Sequence, residues 1–382
     1  MLLRDARDPI AVWQYAERYL GVGTRSYSSY AGDLDIDRRY HPLLGDPSFA
    51  LPTFVVPAGR GGSLTLPDWY TRADGGFLLP VHPEIVPLVD LAGLEPGPAL
   101  EAVPSANGRT VFVTRMGSAR VPPHFVKLHY PKRMSRFVRR LRRPVIELQV
   151  WAAHELVAAG LPVMPELGGG WHADGWGFLV RALDTGPGFT VPLFSLYGAD
   201  AGHPDDPPLL RQLIDASGVP ALSYIAERIV EPMVRLWVSG VLRTGCLLET
   251  HGQNTLFRFT LDGFTAVAYR DSAIYVDALR RAGRSLPPTN VIPRDVPMPA
   301  EAVYSLTYDS FMGHHALSYV AELVHDVYGV EPAQLHEVAR AAFASSSSGQ
   351  LAMPSTTFYY DDALHDDGGW KLVDTGRAPL WR

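Results

Sequence analysis

The chain has 382 residues, 47% hydrophobic and 19% charged, with a formal net charge of -6 at pH 7. Those values exclude a disordered chain and allow two or three folded lobes, and the acidic balance argues against nucleic acid as the main partner. The single cysteine, Cys246, excludes an internal disulfide framework and a cysteine-based metal cluster.

Apolar neighbours make Cys246 a buried small hydrophobe. The first fifteen residues, MLLRDARDPIAVWQY, carry no basic-then-apolar leader, and no later run has the length and purity of a membrane span. The expectation is a cytoplasmic protein with no membrane partner.

In chain order, residues 8–20 predict a short helix with Val12, Tyr15 and Tyr19 on one face. A Pro- and Gly-rich stretch follows to about Pro104, with β-like runs at 50–56 and 76–81, and reads as a small loop-rich lobe. Residues 110–115 alternate as a strand, and 125–129 as another after a turn at Pro122 and Pro123. Pro131 precedes KRMSRFVRRLRR at 132–143, read as a basic helix that Pro144 stops, with a second helix at 145–159. Gly168, Gly169 and Gly170 read as a loop, and 176–181 as a strand.

Beyond the Pro-rich segment 202–208 the pattern turns helical. Residues 220–243 predict a long helix bent at Pro232. Further helices are read at 302–307 and at 314–328, where His314 and His315 form the start. Another spans 333–342, with Gly329 ending its predecessor and Pro332 opening it. Short strands or loops finish the chain.

The stretch 249–271, ETHGQNTLFRFTLDGFTAVAYRD, concentrates the chemistry. Glu249, His251, Gln253 and Asn254 interrupt an apolar run. Residues 255–260 and 264–269 then form a hairpin around Asp262 and Gly263, which returns Arg270 and Asp271 beside His251 and Asn254. Oxygen ligands from Glu249, Asn254 or Asp271 suit Mg²⁺ on a nucleoside triphosphate. The same residue types also cap turns.

Cations for phosphate lie upstream. On a helix, Arg136, Arg139, Arg140 and Arg143 would share one face, with Ser135 near its start. That face fits a small anion, a solvated surface or a polymer. Asn107, Gly108, Arg109 and Thr110 form a turn before a strand, and Lys127 lies on the next, so Arg109 and Lys127 reach one triphosphate from neighbouring strands. Neither a GxxxxGK[ST] loop nor a GxGxxG fingerprint occurs. With His251 or Asp271 as base, the same groups also fit a phosphotransferase.

In their order and spacing these residues resemble the IucA/IucC-like, NRPS-independent siderophore synthetases. The family's EaHgQN element is similar to Glu249, His251, Gln253 and Asn254, and its RD element to Arg270 and Asp271. Its SxRT element is similar to Asn107, Gly108, Arg109 and Thr110, with Asn replacing Ser. Its Lys, Thr-Ser, Arg element is similar to Lys127, Ser135, Arg136 and Arg139. His82 and Pro83 match an HP pair, though Glu84 and Ile85 depart from the pattern, and His41-Pro42 corresponds to a remnant of an earlier one. On its own terms His82 reads as support for a proline turn, and His251 has an alternative as a turn histidine bonded to Glu249.

The resemblance implies an α+β, cupped-hand architecture. A reduced thumb-like region would occupy 1–75, a β-rich, fingers-like nucleotide-binding lobe 76–190, and a mainly helical, palm-like lobe 191–382. It implies an ATP- and Mg²⁺-dependent ligase that adenylates a citrate-like or other polar carboxylic acid and condenses it with an amine or, less readily, an alcohol. Arg109, Lys127 and Ser135 would grip phosphates, with Asn107 in place of the usual Ser. Asn254, Asp271 and Glu249 would hold Mg²⁺ or nucleotide, and Arg139 and His251 would orient the carboxylate. A homodimer is also implied. The competing classes are an ATP-dependent small-molecule phosphotransferase and a noncatalytic nucleotide-binding protein.

Overall fold

The computed structural model describes residues 1–24, 35–134, 137–183, 186, 188–272, 275–289, 291–292, 300–360 and 372–382. The chain divides into two units. One comprises Tyr27–His154 and Met164–Asp184, the other Met1–Ser26, Glu155–Val163 and Thr185–Arg382.

The first unit is built on a seven-stranded antiparallel sheet. Its order is Phe49–Leu51, Leu100–Pro104, Thr110–Met116, Ala119–Leu128, Gly177–Ala182, Glu166–His172 and Gly61–Leu64. Alternation along the strands sorts the side chains. Val111, Val113, Val126, Leu128, Phe178 and Val180 enter a large apolar core with Val56, Phe77 and Tyr130. Leu179 faces the other way, into a cluster with Ile146 and Val150 of the helix Arg143–Ala158. A smaller sheet, Phe77–Pro80, Thr53–Val56 and Glu95–Pro96, completes the unit.

Three expectations are corrected here. The basic segment contains a β-hairpin, not a helix: Tyr130–Met134 pairs with Phe137–Arg139, Tyr130 opposite Arg139 and Met134 opposite Phe137. Tyr130 fixes this outcome, because its fully buried ring continues the sheet's core, while Lys132 and Arg139 are half-buried and Arg140 is exposed. Pro144 then sits in the first turn of Arg143–Ala158, where a missing N–H costs nothing. Pro122 and Pro123 lie inside the strand Ala119–Leu128, whose connection from Thr110–Met116 turns at Gly117. Gly168, Gly169 and Gly170 are strand residues, all three paired with Gly177–Ala182 and the last two also with Gly61–Leu64. Glycine is needed there for close approach: a Cβ on Gly169 would meet Ile146 Cγ2 at 2.5 Å, and one on Gly170 would meet Phe178 Cε1 at 2.9 Å.

The second unit carries most of the helices. Pro9–Tyr19 is capped by Asp8, whose carboxylate accepts from the Ile10 amide. Its buried face is Val12, Trp13, Ala16 and Glu17, while Tyr15 and Tyr19 are half-buried with ring centroids 4.9 Å apart; the sequence placed the helix correctly. The helix packs beside Phe189–Pro192, the edge of a sheet whose other strands are Thr255–Phe259 and Thr265–Tyr269.

Ala221–Ile225, a π-helical turn Ala226–Val230 and Glu231–Thr244 run continuously. Pro232 brings no N–H, and the ladder widens by one residue just before it, the Glu231 amide reaching Ala226 O. His314 and His315 are not a helix start. They lie inside a π-helical stretch, Leu306–Leu317, between Ala300–Ser305 and Ser318–Tyr328. Gly329 in the left-handed region and Pro332 at the start of Pro332–Ser347 act as expected. Cys246 is fully buried, and burial pushes its thiol up to about 11. Among the described residues no helix is long and apolar enough to cross a membrane.

Candidate functional site

In the first unit a tight turn precedes the strand Thr110–Met116. Asn107 Oδ1 accepts from the Thr110 amide at 2.7 Å, its Nδ2 donates to Thr110 Oγ1 at 2.9 Å, and Gly108 takes a φ of 70°. The Asn107 carboxamide thus holds the turn. Thr110 pairs across the sheet with Lys127, so Arg109, in the turn as read, directly precedes the strand next to that of Lys127.

Strand alternation turns Lys127 away from the core that takes Val126 and Leu128, toward the helix face. There the ammonium, 4% exposed, donates to Gln149 Oε1 at 3.3 Å. Arg109 Nη1 donates to the carbonyl of Arg139 at 2.9 Å. The hairpin therefore delivers Arg139 to Arg109, although it does so as a strand. Ser135 and Arg136 lie outside the described residues.

His129, which sequence reasoning passed over, sits among these cations. Burial first, then repulsion from Arg142, Arg109 and Arg140, lowers its pKa to about 4 against the opposing effect of a hydrogen bond accepted by the Leu141 carbonyl. Gln149 was missed as well, since it lies on a helix twenty-two positions beyond Lys127.

In the second unit the turn after Leu248 is built from backbone bonds. The His251 amide donates to Glu249 O at 2.9 Å, and His251 O accepts from Asn254 at 3.1 Å and Thr255 at 3.0 Å. Gly252 O accepts from Phe194 at 3.0 Å. The hairpin forms over the expected strands, with Thr255 opposite Tyr269 and Phe259 opposite Thr265, and the Arg270 amide reaches Asn254 O at 2.9 Å. Glu249, His251, Asn254 and Asp271 are accordingly gathered at one end of the hairpin.

His251 Nδ1 accepts from the Gln253 amide at 3.2 Å. An amide only donates, so the neutral ring carries its proton on Nε2, and that nitrogen lies 3.7 Å from Glu249 Oε2. The ring edge packs on Phe311, centroids 5.8 Å apart. His82 repeats the device, accepting from the Glu84 amide at 3.3 Å. It is fully buried among Tyr40, Phe49 and Tyr130, and burial lowers its pKa to about 3. His82 supports the proline turn, as read.

Arg270 is structural. Its Nε donates to Gln253 O at 2.9 Å, and Nη1 bonds the buried Glu17 of helix Pro9–Tyr19, whose carboxylate also takes the Trp13 indole at 3.1 Å. Sequence reasoning missed Glu17. The signal was a carboxylate four residues after Trp13 on the apolar side of an amphipathic helix.

Carboxylate and carboxamide oxygens are the donor type that hard divalent cations take. The Asn254 carboxamide is 5% exposed and has no hydrogen-bond partner among the described residues. The Glu249 carboxylate is 21% exposed. Asp271 is half-buried with φ 70°, a left-handed conformation uncommon outside glycine.

No family model matches the chain, and no curated protein matches it. Solved structures do. The petrobactin biosynthesis protein AsbB from Bacillus anthracis str. Sterne aligns over 97% of this chain and 75% of its own, with a TM-score of 0.68 and 14% identity. Aerobactin synthetase IucC from a hypervirulent pathotype of Klebsiella pneumoniae aligns over 83% and 66%, with a TM-score of 0.61 and 15% identity. ATP-bound aerobactin synthetase IucA from the same source aligns over 92% and 73%, with a TM-score of 0.62 and 16% identity. The chain thus spans 66% to 75% of the length of AsbB, IucC and ATP-bound IucA. At this level of identity the shared property is the fold: the chain is an α+β protein built like these siderophore synthetases.

Proposed function

We propose that the chain is an ATP-dependent carboxylate ligase. It adenylates a polar carboxylic acid and passes the acyl group to an amine, or to a hydroxyl, releasing AMP and pyrophosphate. The observation that carries this reading is the gathering of Glu249, His251, Asn254 and Asp271 at one hairpin end in a fold shared with an ATP-bound aerobactin synthetase.

In this reading residues 76–190 serve nucleotide binding and 191–382 supply the acidic set. A carboxylate oxygen of the substrate attacks the α-phosphorus, and the bond to the β-phosphate breaks with its electron pair leaving on pyrophosphate. The acceptor then attacks the acyl carbon, AMP departs, and the acceptor's proton is lost to solvent. Arg109 and Lys127 neutralise the polyphosphate, and Ser135 is assigned to phosphate binding with them. Arg139 and the Nε2–H of His251 orient the carboxylate. Asn107 acts through the turn that carries Arg109. Glu249, Asn254 and Asp271 hold Mg²⁺, which supplies charge neutralisation on the phosphates.

The test is a hydroxylamine-trapping screen of carboxylic acids with ATP and Mg²⁺, read by hydroxamate mass and by nucleotide product. AMP with pyrophosphate and a hydroxamate supports the reading. ADP with a phosphorylated acceptor replaces it with a phosphotransferase. ATP binding without carboxylate-dependent AMP over the whole panel replaces it with a noncatalytic nucleotide-binding protein.

A further inference from the structure

One side chain links the two acidic ends of the candidate site without contributing a ligand to it. The Tyr269 hydroxyl accepts the Glu249 amide N–H at 3.1 Å and donates to the Asp271 carbonyl at 2.9 Å. Its ring is fully buried. Its backbone is held in the sheet opposite Thr255, and its amide donates to Pro162 O at 2.9 Å.

We propose that Tyr269 is a positioning residue that sets the spacing of Glu249 and Asp271 and thereby the affinity for the metal–nucleotide complex. The inference rests on the ligase reading for the identity of the ligand, Mg·ATP, and on the hydroxyl geometry for everything else.

The chemistry of the phenol makes the link directional. One O–H donates and one lone pair accepts, so a single atom satisfies two backbone groups that belong to segments twenty-two positions apart. Both partners are main-chain atoms, and the hydroxyl therefore acts on chain position rather than on either carboxylate. Asp271 gains from such a hold, since its φ of 70° lies in the left-handed region, which costs an aspartate energy that it does not cost a glycine. On the other side Glu249 opens the turn that ends in Asn254. Without the hydroxyl, the Glu249 N–H and the Asp271 C=O lose their shared partner. Both residues are half-buried, so relaxation toward water moves the two carboxylates apart.

The test compares the full-length protein with Tyr269→Phe, Asp271→Asn and the double variant. Calorimetric titration with Mg²⁺ and a nonhydrolysable ATP analogue reads affinity independently of turnover. Tyr269→Phe is expected to weaken metal–nucleotide binding by about tenfold or more, the usual effect of removing a group that supports ligands. In the Asp271→Asn background the same change should add little, because the ligand it positions is already gone. The KM for the carboxylic acid should stay within about twofold of wild type, which a general loosening of the fold would not allow. Unchanged metal–nucleotide affinity in Tyr269→Phe overturns the proposal, and so does a full additional loss in the double variant.

Should Tyr269→Phe fail to fold, hydrogen exchange in the wild-type protein decides. The Glu249 amide must be protected to the level of the hairpin amides, and exchange at the rate of an open loop overturns the proposal. A wild-type protein that forms no AMP with any acid defeats the ligase reading alone, since the binding comparison still reports on Tyr269.

Discussion

Arg109 donates through Nη1 to the carbonyl oxygen of Arg139, 2.9 Å away. The bond pins the return strand of the basic hairpin and brings Arg139 to the cation pair of Arg109 and Lys127. Arg143, by contrast, is committed elsewhere: its Nε bonds Glu147 at 2.8 Å, and its guanidinium lies over the Trp171 ring at 5.1 Å. Arg139→Ala is therefore expected to raise the KM for the carboxylic acid about 10- to 100-fold, the loss of one charge-assisted contact, with a smaller change in the KM for ATP. Arg143→Ala should stay within about twofold on both, since an exposed pair of this kind is worth little. Steady-state kinetics of the two variants side by side check this, and equal losses would replace the assigned carboxylate contact with a diffuse basic patch.

The Glu17–Arg270 pair predicts a stability effect. Their side chains are 2% and 5% exposed, and Arg270 also holds the Gln253 carbonyl. Removing one partner leaves a buried charge uncompensated, so Glu17→Gln should cost about 3–5 kcal/mol of unfolding free energy. Urea denaturation measures it. A change below about 1 kcal/mol would mean that water already solvates the pair.

Asp271 predicts opposite signs for stability and activity. Glycine accepts a φ of 70° without strain, so Asp271→Gly should preserve stability or raise it by up to about 1 kcal/mol. Asp271→Asn tolerates the same conformation and keeps the shape. Both remove the carboxylate, and both should lose Mg²⁺-dependent turnover. Normal turnover in either variant removes Asp271 from the metal site.

Acid stability follows from three buried imidazoles of the first unit. Burial lowers His82 to about 3, and His124 and His129 to about 4, against about 6.5 in the unfolded chain. Between those values the unfolded chain binds more protons, so stability rises with pH. The contribution is complete above about pH 6.5 and is lost as the pH falls through the folded values. Urea midpoints should drop between pH 7 and pH 4.5. His82→Asn should flatten that slope by close to one proton, and an unchanged slope would show that His82 is hydrated in the native state.

How much of this was legible depends on the distance over which each interaction acts. The hairpin at 249–271 was readable because alternating strands around turn residues pair locally, although the observed register leaves three residues, 261–263, between Thr260 and Phe264. That register returns Asp271 to Glu249 whatever surrounds it. The Asp8 cap, Gly329 and Pro332 were readable for the same reason. The basic segment was not. Arginine spacing at 132–143 satisfies a helix, but the Tyr130 ring belongs to the core under a sheet whose strands come from 49 to 182, and a helix there would withdraw it.

The sequence by itself determined the hairpin and the identity of the oxygen- and cation-bearing residues, since these follow from local periodicity and side-chain chemistry, while the α+β class came from the resemblance that those residues carry. Only the tertiary structure decided that Gly168–Gly170 form the middle of a sheet, that Glu17 is the partner of Arg270, and that one tyrosine hydroxyl joins Glu249 to Asp271. Each of those depends on which distant surfaces exclude water together. Burial is a property of the packed chain, and no window of sequence contains it.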